Sequence, residues 1–330
     1  MTHPLYVASI DAGNTKTVAA VADASGRVLG YARGGSGNIY AGLSNTVSLL
    51  GGVYREALAK TGLTPDDVAH LSISATGADW AEDFAALQDA ALREGLVTNA
   101  AKLTVVNDAV GALWAGSATG EGVVVAAGTS VGTAARRGRR VWHSSYWQQT
   151  EGAVELGQKG LRAVYLAELG IAPATRLTEA FLEKLELDSV EAVLHAFTAR
   201  TPALHDAHAG ELARVLLNEA EAGDEVASHL AREHGAALGE YALVAARKVE
   251  FVDAFPLVLI GGLMRHSGSV LKASLLNRVC TEAPNVRVQE NDLEPVGGAL
   301  CVALEQLGRY TPEARALIRD TLPPASFFAT

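Results

Sequence analysis

A polar turn that contains a glycine lies between two apolar segments near the start of this 330-residue chain. The apolar segment Leu5–Ile10 precedes the turn Asp11-Ala12-Gly13-Asn14-Thr15-Lys16, and the apolar segment Val18–Ala22 follows it. Apolar runs of this length around a polar turn predict two strands joined by a hairpin. Gly13 lets the backbone approach a ligand closely, and turn amides can form a concavity that binds anions. The segment is therefore either a phosphate-binding turn or an ordinary hairpin turn.

The same arrangement recurs later in the chain. Gly122–Ala126 is apolar, Gly128-Thr129-Ser130 forms a polar turn, and a further strand pattern, Val131–Arg136, follows. The recurrence indicates two structurally related halves, each with a turn that faces phosphate. Asp11, at the end of the first predicted strand, is placed to hold a hydrated metal ion, which suits a polyphosphate bound with Mg²⁺.

Strand patterns alternate with helical patterns outside these hairpins. Ser44–Lys60 has apolar residues at helical spacing, whereas Leu71–Ala75 and Leu103–Val106 are short apolar runs. Such alternation predicts an α/β fold with mixed sheets flanked by helices. The length favours two domains, and we predict an N-terminal domain over residues 1–107 and a C-terminal domain over residues 108–330. The last helix, at about residues 296–308, is expected to pack back on the first domain.

Composition narrows the class of protein. The net charge is −10 and no basic stripe is present, so we expect no nucleic-acid partner. No apolar run is long enough to predict a membrane span, and Met1–Tyr6 lacks the pattern of a signal peptide. Cys280 and Cys301 lie in apolar stretches, which predicts buried free thiols in a reducing compartment. We expect a cytoplasmic protein.

Several segments in chain order carry a resemblance to known ATPases. They are Asp11-Ala12-Gly13-Asn14-Thr15-Lys16, Ala75-Thr76-Gly77, Asn107-Asp108-Ala109, Gly128-Thr129-Ser130 and Ile260-Gly261-Gly262. This ordered set resembles the actin, sugar kinase and Hsp70 superfamily, and within it the BadF/BadG/BcrA/BcrD ATPase family, which includes N-acetylglucosamine kinases. The resemblance implies two ribonuclease H-like domains with an ATP site in the cleft between them.

The resemblance also implies ATP and Mg²⁺ as cofactors. Asp11 would hold Mg²⁺ through water, and both glycine turns would bind phosphates. Thr15 and Thr129 match positions that bind ATP in the family, and Lys16 either contacts phosphate or is only solvated. The full set of predicted ATP- and phosphate-binding residues is Gly13, Asn14, Thr15, Lys16, Gly128, Thr129, Ser130, Gly223, Gly261 and Gly262.

Asp108 is the predicted general base. It follows a strand pattern and begins a helix pattern, so its carboxylate should face a cleft and could accept the proton of a sugar hydroxyl. The alternative is that Asp108 serves as the N-cap of the helix, and one residue can do both.

A set of sugar-binding residues is also implied by the resemblance. The family loop contains Trp-Gly followed by Gly-Asp-Glu-Gly, whereas this chain has Trp147-Gln148-Gln149-Thr150-Glu151-Gly152, with Thr150 in place of the sugar-holding aspartate. A threonine cannot accept two hydroxyl hydrogen bonds as a carboxylate can. The full predicted set is Asn38, Thr76, Gly77, Asp108, Trp147, Thr150 and Glu151.

These residues predict an ATP-dependent kinase of amino sugar metabolism. The substrate would be N-acetylglucosamine or glucosamine, and the family suggests phosphorylation of the 6-hydroxyl. The altered loop leaves open a nucleotide- or sugar-binding regulator without transfer activity. An ATP-dependent activator of a radical dehydratase is disfavoured because Cys280 and Cys301 do not suit an iron–sulfur cluster shared between subunits. We expect a small-molecule sugar partner, no membrane partner, and the homodimer that is usual in the family.

Overall fold

The computed structural model describes residues 4–147 and 152–328. The chain packs into two compact units, and each is described here by itself. The first unit contains Met1–Val124, Ala134–Ser145 and Gln289–Thr330, and the second contains Val125–Thr133 and Tyr146–Val288. The predicted domain division at residues 107 and 108 stays a prediction.

The first sheet has five strands in the order β3-β2-β1-β4-β5. Strand β1 pairs antiparallel with β2 and parallel with β4, which in turn is parallel to β5. The sheet is therefore mixed, as predicted. Its strands are β1 (Tyr6–Ala12), β2 (Thr17–Asp23), β3 (Val28–Gly34), β4 (Val68–Ala75) and β5 (Leu103–Asn107).

The second sheet has the order β10-β9-β6-β7-β8. In reverse, this order is β8-β7-β6-β9-β10, which corresponds strand by strand to β3-β2-β1-β4-β5 in the first sheet. The predicted glycine turns at Gly13 and Gly128 therefore join equivalent strands. This equivalence supports the predicted relation between the halves. The strands are β6 (Gly122–Ala127), β7 (Val131–Arg137), β8 (Arg140–His143), β9 (Pro256–Ile260) and β10 (Arg287–Gln289).

Twelve α-helices accompany the sheets in the described ranges. No helix there is both long and apolar enough to span a membrane. The helices are α1 (Leu43–Ala59), α2 (Ala81–Arg93), α3 (Asp108–Gly116), α4 (Ala153–Glu168), α5 (Leu177–Leu185), α6 (Val190–Thr198), α7 (Asp206–Glu221), α8 (Glu225–Lys248), α9 (Val270–Glu282), α10 (Pro295–Gln306), α11 (Pro312–Thr321) and α12 (Ala325–Phe328).

Helix α9 was not predicted, and it corrects the expectation for one cysteine. Its buried residues are Leu271, Leu275 and Val279, which form one stripe at helical spacing. Cys280 lies outside this stripe and is exposed, whereas Cys301 is buried in α10. The expectation of a buried thiol was wrong for Cys280, because a residue beside an apolar stripe turns away from the core that the stripe contacts.

Helix α10 completes the core of the first unit. It packs against β1, β4 and α3, and Val296–Leu304 is buried throughout. The buried hydroxyl of Ser9 in β1 donates a hydrogen bond to the carbonyl of Val296 at 2.9 Å. Gly298 allows α10 to approach α3 closely, since a Cβ at this position would lie 2.4 Å from the carbonyl oxygen of Gly111.

Replacement of Gly298 by alanine is expected to lower the free energy of unfolding of the first unit by about 1–3 kcal/mol. The reason is that backbone atoms of Gly111 and Ala115 would have to move to admit the methyl group. Gly52→Ala is a matched control, because no atom lies within 4 Å of a Cβ at this helical position of α1. It should raise stability by about 0.5–1 kcal/mol. Urea unfolding of both variants checks the prediction, and equal effects at the two glycines would contradict it.

Candidate active site

The glycine turn of the first unit is closed by backbone hydrogen bonds. The amide of Gly13 donates to the carbonyl of Lys16 at 2.9 Å, and the amide of Gly37 donates to the carbonyl of Gly13 at 2.9 Å. The side-chain amide of Asn38 donates to Oδ1 of Asn14 at 2.8 Å. The turn therefore brings a predicted nucleotide-binding residue and a predicted sugar-binding residue together.

The ammonium group of Lys16 contacts helix α12, and this contact was not predicted from the sequence. Its Nζ donates a hydrogen bond to the carbonyl of Phe328 and lies 5.8 Å from the centre of the Phe328 ring. Next to it, the guanidinium of Arg33 donates to the carbonyl of Phe327 at 2.9 Å. A phosphate-binding role for Lys16 stays a prediction, and the ammonium group has three N–H donors, of which the carbonyl of Phe328 takes one.

The C-terminal ends of three parallel strands meet at one edge of the first sheet. Ala12 of β1 is in register with Ala75 of β4, and Ala75 is in register with Asn107 of β5. Asp11 is the penultimate residue of β1, and Thr76 and Asp108 directly follow β4 and β5. Ligands of open α/β sheets commonly bind at this kind of edge.

Asp108 is held by partners on two sides. Its Oδ2 accepts a hydrogen bond from the hydroxyl of Thr76 at 2.5 Å, and its Oδ1 accepts one from the amide of Ala109 at 2.9 Å. The N-cap of α3 is Asn107, whose Oδ1 accepts from the amide of Ala109 at 3.0 Å. Since Asn107 holds the cap position, Asp108 is the first residue of the helix rather than its cap. The carboxylate is thus available for other chemistry.

The electrostatic environment of this edge raises the pKa of two carboxyl groups. Burial raises the pKa of Asp108, and the hydrogen bonds from Thr76 and Ala109 partly offset this effect. Burial and then the charge of Asp108 raise the pKa of Asp11 to about 7, with a smaller contribution from Glu294, while Lys16 lowers it. Like charges held close together disfavour ionisation of both. A bound cation would relieve this repulsion.

The residues around Asp11 suit Mg²⁺ that is held by one carboxylate together with water and phosphate. The described ranges contain no group of three or more acidic, histidine or cysteine side chains that could hold a metal by themselves. Mg²⁺ is usually bound through one or two carboxylates, with water and substrate phosphates completing its shell. The carboxylate of Asp11, at the end of β1 beside the glycine turn, suits that arrangement.

Replacement of Asp11 by asparagine is expected to stabilise the protein at pH 8 when nucleotide and metal are absent. The pKa of Asp11 rises from 3.8 to about 7 on folding. The folded state therefore binds this proton more tightly and loses stability as the pH rises from about 4 to about 7. The Asp11→Asn variant should have a Tm about 2–6 °C above that of wild type at pH 8 and the same Tm as wild type near pH 4.

Thermal unfolding in EDTA across this pH range checks the prediction for Asp11. Asp66→Asn, which alters an exposed carboxylate of the same unit, is the control and should not change the pH dependence of Tm. A Tm difference between wild type and the Asp11 variant that is the same at pH 4 and pH 8 would contradict the assignment.

Predicted sugar-binding residues of the first unit also lie together. Gly77 has φ +87°, and a Cβ there would lie 2.8 Å from side-chain atoms of both Ile39 and Tyr40. The amide of Ile39 donates to the carbonyl of Thr76 at 3.3 Å. The turn that begins with Asn38 thus packs against Thr76 and Gly77, beside Asp108.

The glycine turn of the second unit lies at the start of a helix. The amide of Gly128 donates to the carbonyl of Ser130 at 2.9 Å, as in the first turn. The first amides of α4 then bond to this turn, from Ala153 to the carbonyl of Gly128 at 2.9 Å and from Val154 to the carbonyl of Thr129 at 3.3 Å. The turn is therefore fixed by the helix that follows it.

The late glycines of the second unit lie near this turn. Gly261 has φ +105°, and a Cβ there would be 2.3 Å from the carbonyl oxygen of Ala127, the residue before Gly128. Gly262 has open space at its Cβ position, and so does Gly223, which has φ +90°. His266 and Val270 of the following segment bond to the end of α7, just before Gly223. The predicted nucleotide-binding residues Gly223, Gly261 and Gly262 thus belong to segments that contact one another.

The predicted sugar loop is described only at its ends. Trp147 is 74% exposed, and its carbonyl accepts a hydrogen bond from the hydroxyl of Tyr241 at 2.9 Å. Thr150 and Glu151 lie outside the described residues. Their predicted roles, like those of the other site residues, stay predictions.

Family comparison decides the classification of the chain. A profile of the BadF/BadG/BcrA/BcrD ATPase family matches residues 9–303. The chain belongs to this family. The resemblance inferred from the ordered glycine and aspartate segments is thereby confirmed.

Two proteins named as sugar kinases are similar to the chain along most of their length. The chain is 25% identical to an N-acetyl-D-glucosamine kinase of Dictyostelium discoideum over 313 residues, covering 89% of this chain and 96% of the relative. It is 27% identical to the glucosamine kinase GspK of Vibrio cholerae serotype O1 over 240 residues, covering 70% and 77%.

A solved structure supports the fold. The crystal structure of a candidate N-acetylglucosamine kinase from Chromobacterium violaceum superposes with a TM-score of 0.66 at 22% identity, covering 91% of this chain and 99% of that chain. Together with the two five-stranded mixed sheets, this similarity confirms the predicted actin-like α/β fold class.

Sequence reasoning left several polar residues around Asp108 without a role. They are Asp79, Asn107, His143 and Ser145, which the structure joins by hydrogen bonds. The sequence offered only one signal for these residues, which is closeness to a motif. Asp79 lies two residues beyond Gly77, and Asn107 directly precedes Asp108.

Proposed function

We propose that this member of the BadF/BadG/BcrA/BcrD ATPase family is an ATP-dependent kinase that phosphorylates an amino sugar. The enzyme class follows from the family and from the two sugar kinases to which the chain is similar. N-acetylglucosamine and glucosamine are the proposed substrates, because they are the sugars named for those relatives. The 6-hydroxyl is the proposed acceptor on the same family grounds.

One observation carries the mechanistic part of the proposal, namely the placement of Asp108. Its carboxylate follows β5 beside the end of β4 and is oriented by the hydroxyl of Thr76. Burial raises its pKa, which makes it a stronger base than an exposed aspartate. In the proposed reaction, the sugar hydroxyl oxygen attacks the γ-phosphorus of ATP, its proton passes to Asp108, and ADP leaves.

Phosphate and metal binding complete the proposal. Phosphoryl transfer depends mainly on positioning and on stabilisation of charge at the phosphate oxygens. We assign phosphate contacts to the turns at Gly13–Lys16 and Gly128–Ser130, and contacts to adenosine to Gly223, Gly261 and Gly262. Asp11 would hold Mg²⁺ through water, and the ion would neutralise phosphate charge when bound.

Contacts to the sugar are assigned to the polar residues around Asp108. Asn38, Thr76 and Gly77 lie together in the first unit, and an amide, a hydroxyl and backbone groups suit the hydroxyls of a sugar. The proposed sugar-binding residues of the sugar loop are Trp147, Thr150 and Glu151. The homodimer expected from the resemblance stays a prediction.

The departure at Thr150 favours a second candidate function. A protein that binds ATP and a sugar without transfer would not need the carboxylate that other members of the family have at this place. Such a regulator would keep the phosphate turns and the polar residues beside Gly77, yet it would release no ADP when sugar is added.

A coupled assay of ADP release over a panel of hexoses and amino sugars tests the proposal. We expect turnover with N-acetylglucosamine or glucosamine, and a phosphate at C6 when the product is examined by NMR. The matched 6-deoxy sugar should bind without turnover. ATP binding is measured separately by calorimetry. Intact ATP binding without turnover on any sugar would reject the kinase and leave the regulator.

A further inference from the structure

A chain of hydrogen bonds surrounds Asp79, a half-buried residue of the turn between β4 and α2. The side-chain amide of Asn107 donates to Oδ1 of Asp79 at 2.9 Å and to the carbonyl of Ala78 at 3.2 Å. Asn107 is itself buried and is the N-cap of α3. Every polar atom of this amide group thus either fixes the start of α3 or ties it to the turn at Asp79.

The other side of Asp79 contacts the end of a different strand. Its carboxylate accepts a hydrogen bond from the hydroxyl of Ser145, and Nδ1 of His143 in β8 contacts the same hydroxyl oxygen. Ser145 has φ 37°, in the left-handed region that serine adopts only under strain. Such strain persists where surrounding contacts enforce it, and the bonds to Asp79 and His143 are contacts of that kind.

The two partners of Asp79 lie next to the two parts of the proposed site. Asn107 directly precedes the proposed base Asp108. Ser145 directly precedes Tyr146-Trp147, which begin the proposed sugar loop. We propose that Asp79 is a positioning residue of the kinase, which holds Asp108 through Asn107 and holds the start of the sugar loop through Ser145.

The charge state of Asp79 agrees with this role. Burial and then the charge of Asp108 raise its pKa to about 6, with a smaller contribution from Asp83 of α2, while Ser145 and Asn107 lower it. At pH 7.5 the group is therefore mainly ionised, and both oxygens can accept hydrogen bonds. Burial lowers the pKa of His143, so this ring is neutral at that pH. Because the Ser145 hydroxyl donates to Asp79, the proton of the neutral ring belongs on Nδ1, which then donates to the oxygen of Ser145.

This inference rests on the proposed function, because it assigns Asp79 a part in the reaction of Asp108. It also has a consequence that does not depend on turnover. Loss of the Asp79 carboxylate should free Asn107 from one of its anchors and loosen the first turn of α3. A displacement of about 1 Å at a reacting group is enough to lower a rate about 10²-fold.

The test compares Asp79→Ala with Asp79→Asn. The alanine variant removes both acceptor oxygens, whereas asparagine keeps one carbonyl oxygen at the same place. We expect kcat to fall about 30- to 100-fold in Asp79→Ala, with KM for ATP within about two-fold of wild type and KM for the sugar raised. Asparagine should restore at least about a tenth of the wild-type kcat. The matched control is Asp67→Ala. Asp67 directly precedes β4, at the end of the strand opposite to Asp79, and its carboxylate accepts hydrogen bonds from Thr64. This variant should leave kcat unchanged.

Hydrogen exchange provides the readout that is independent of catalysis. Amides at the start of α3 should exchange several-fold faster in Asp79→Ala than in wild type or Asp67→Ala. If wild type phosphorylates no sugar, the proposed function fails, and hydrogen exchange alone then decides this inference. Unchanged exchange in Asp79→Ala would overturn the inference, and faster exchange would support it. If wild type is active, a kcat within two-fold of wild type in Asp79→Ala overturns the inference whatever the exchange rates. Should the alanine variant not fold, the kcat and exchange of Asp79→Asn relative to Asp67→Asn decide in the same way.

Discussion

Replacement of Asp108 by asparagine is expected to lower kcat for amino-sugar phosphorylation by about 10²–10⁴-fold while ATP binding is retained. Asparagine has the same shape and can still accept the hydrogen bond from Thr76, and Asn107 still caps α3. The fold should therefore persist. The variant loses the group that takes the proton of the sugar hydroxyl, since a neutral amide does not act as a base near neutral pH.

Steady-state kinetics and calorimetry with ATP together measure this effect. Asp89→Asn, which changes an exposed carboxylate on α2, is the control and should have wild-type kcat. We also expect the Asp108 variant to have a higher Tm than wild type at pH 8, because it removes a carboxyl group whose pKa is raised by burial. Near-normal turnover in the Asp108 variant would reject the assignment of the base.

Replacement of Arg315 by methionine is expected to lower the free energy of unfolding of the first unit by about 3–5 kcal/mol. Arg315 lies in α11 and is only 5% exposed. Its guanidinium donates to the carbonyls of Trp114 at 2.6 Å and Ala115 at 2.7 Å, and it pairs with Asp292. The last carbonyls of a helix have no partner within that helix, so Arg315 supplies donors that α3 lacks at its C-terminal end.

The large expected effect has a specific cause. Methionine fills similar space, but it removes the close cationic partner of Asp292 and the guanidinium donors to the carbonyls of Trp114 and Ala115, of which Ala115 keeps the amide of Leu293 at 3.2 Å. The loss of hydrogen bonds by buried polar groups is costly. Chemical unfolding followed by the fluorescence of Trp114, which is buried in the same unit, measures the loss. Arg319→Met is the matched control one helical turn away, where the half-exposed guanidinium is 4.0 Å from Asp292, and its cost should be below about 1 kcal/mol. Equal costs at the two arginines would contradict the proposed role of Arg315.

The local features of the fold were predictable from the sequence because their signals are local. The turns at Gly13 and Gly128 are marked by glycine between apolar runs, and both lie where they were predicted. The recurrence of the hairpin indicated two related halves, and the two sheets do have corresponding strand orders. The alternating strand and helix patterns then leave few topologies open, since connections in such folds obey strong rules.

Contacts between distant parts of the chain could not be predicted in this way. The bond between Lys16 and Phe328 joins residues 312 positions apart, and neither residue carries a sign of the other. The cap of α3 was ambiguous for a different reason. Asn107 and Asp108 are both good N-cap residues, and only the geometry of β5 decides that the asparagine takes this role.

The first unit is built from both ends of the chain, and this has a consequence for its synthesis. Strands β1 to β5 emerge first, yet the helix that covers them, α10, and the arginine that caps α3 come after residue 290. At about 5–20 residues per second, the ribosome needs on the order of 15–60 s between the first strand and Arg315. During that interval the apolar face that α10 will cover is exposed. A chaperone that binds nascent apolar strands should therefore associate with this protein mainly during translation and leave once α11 has emerged.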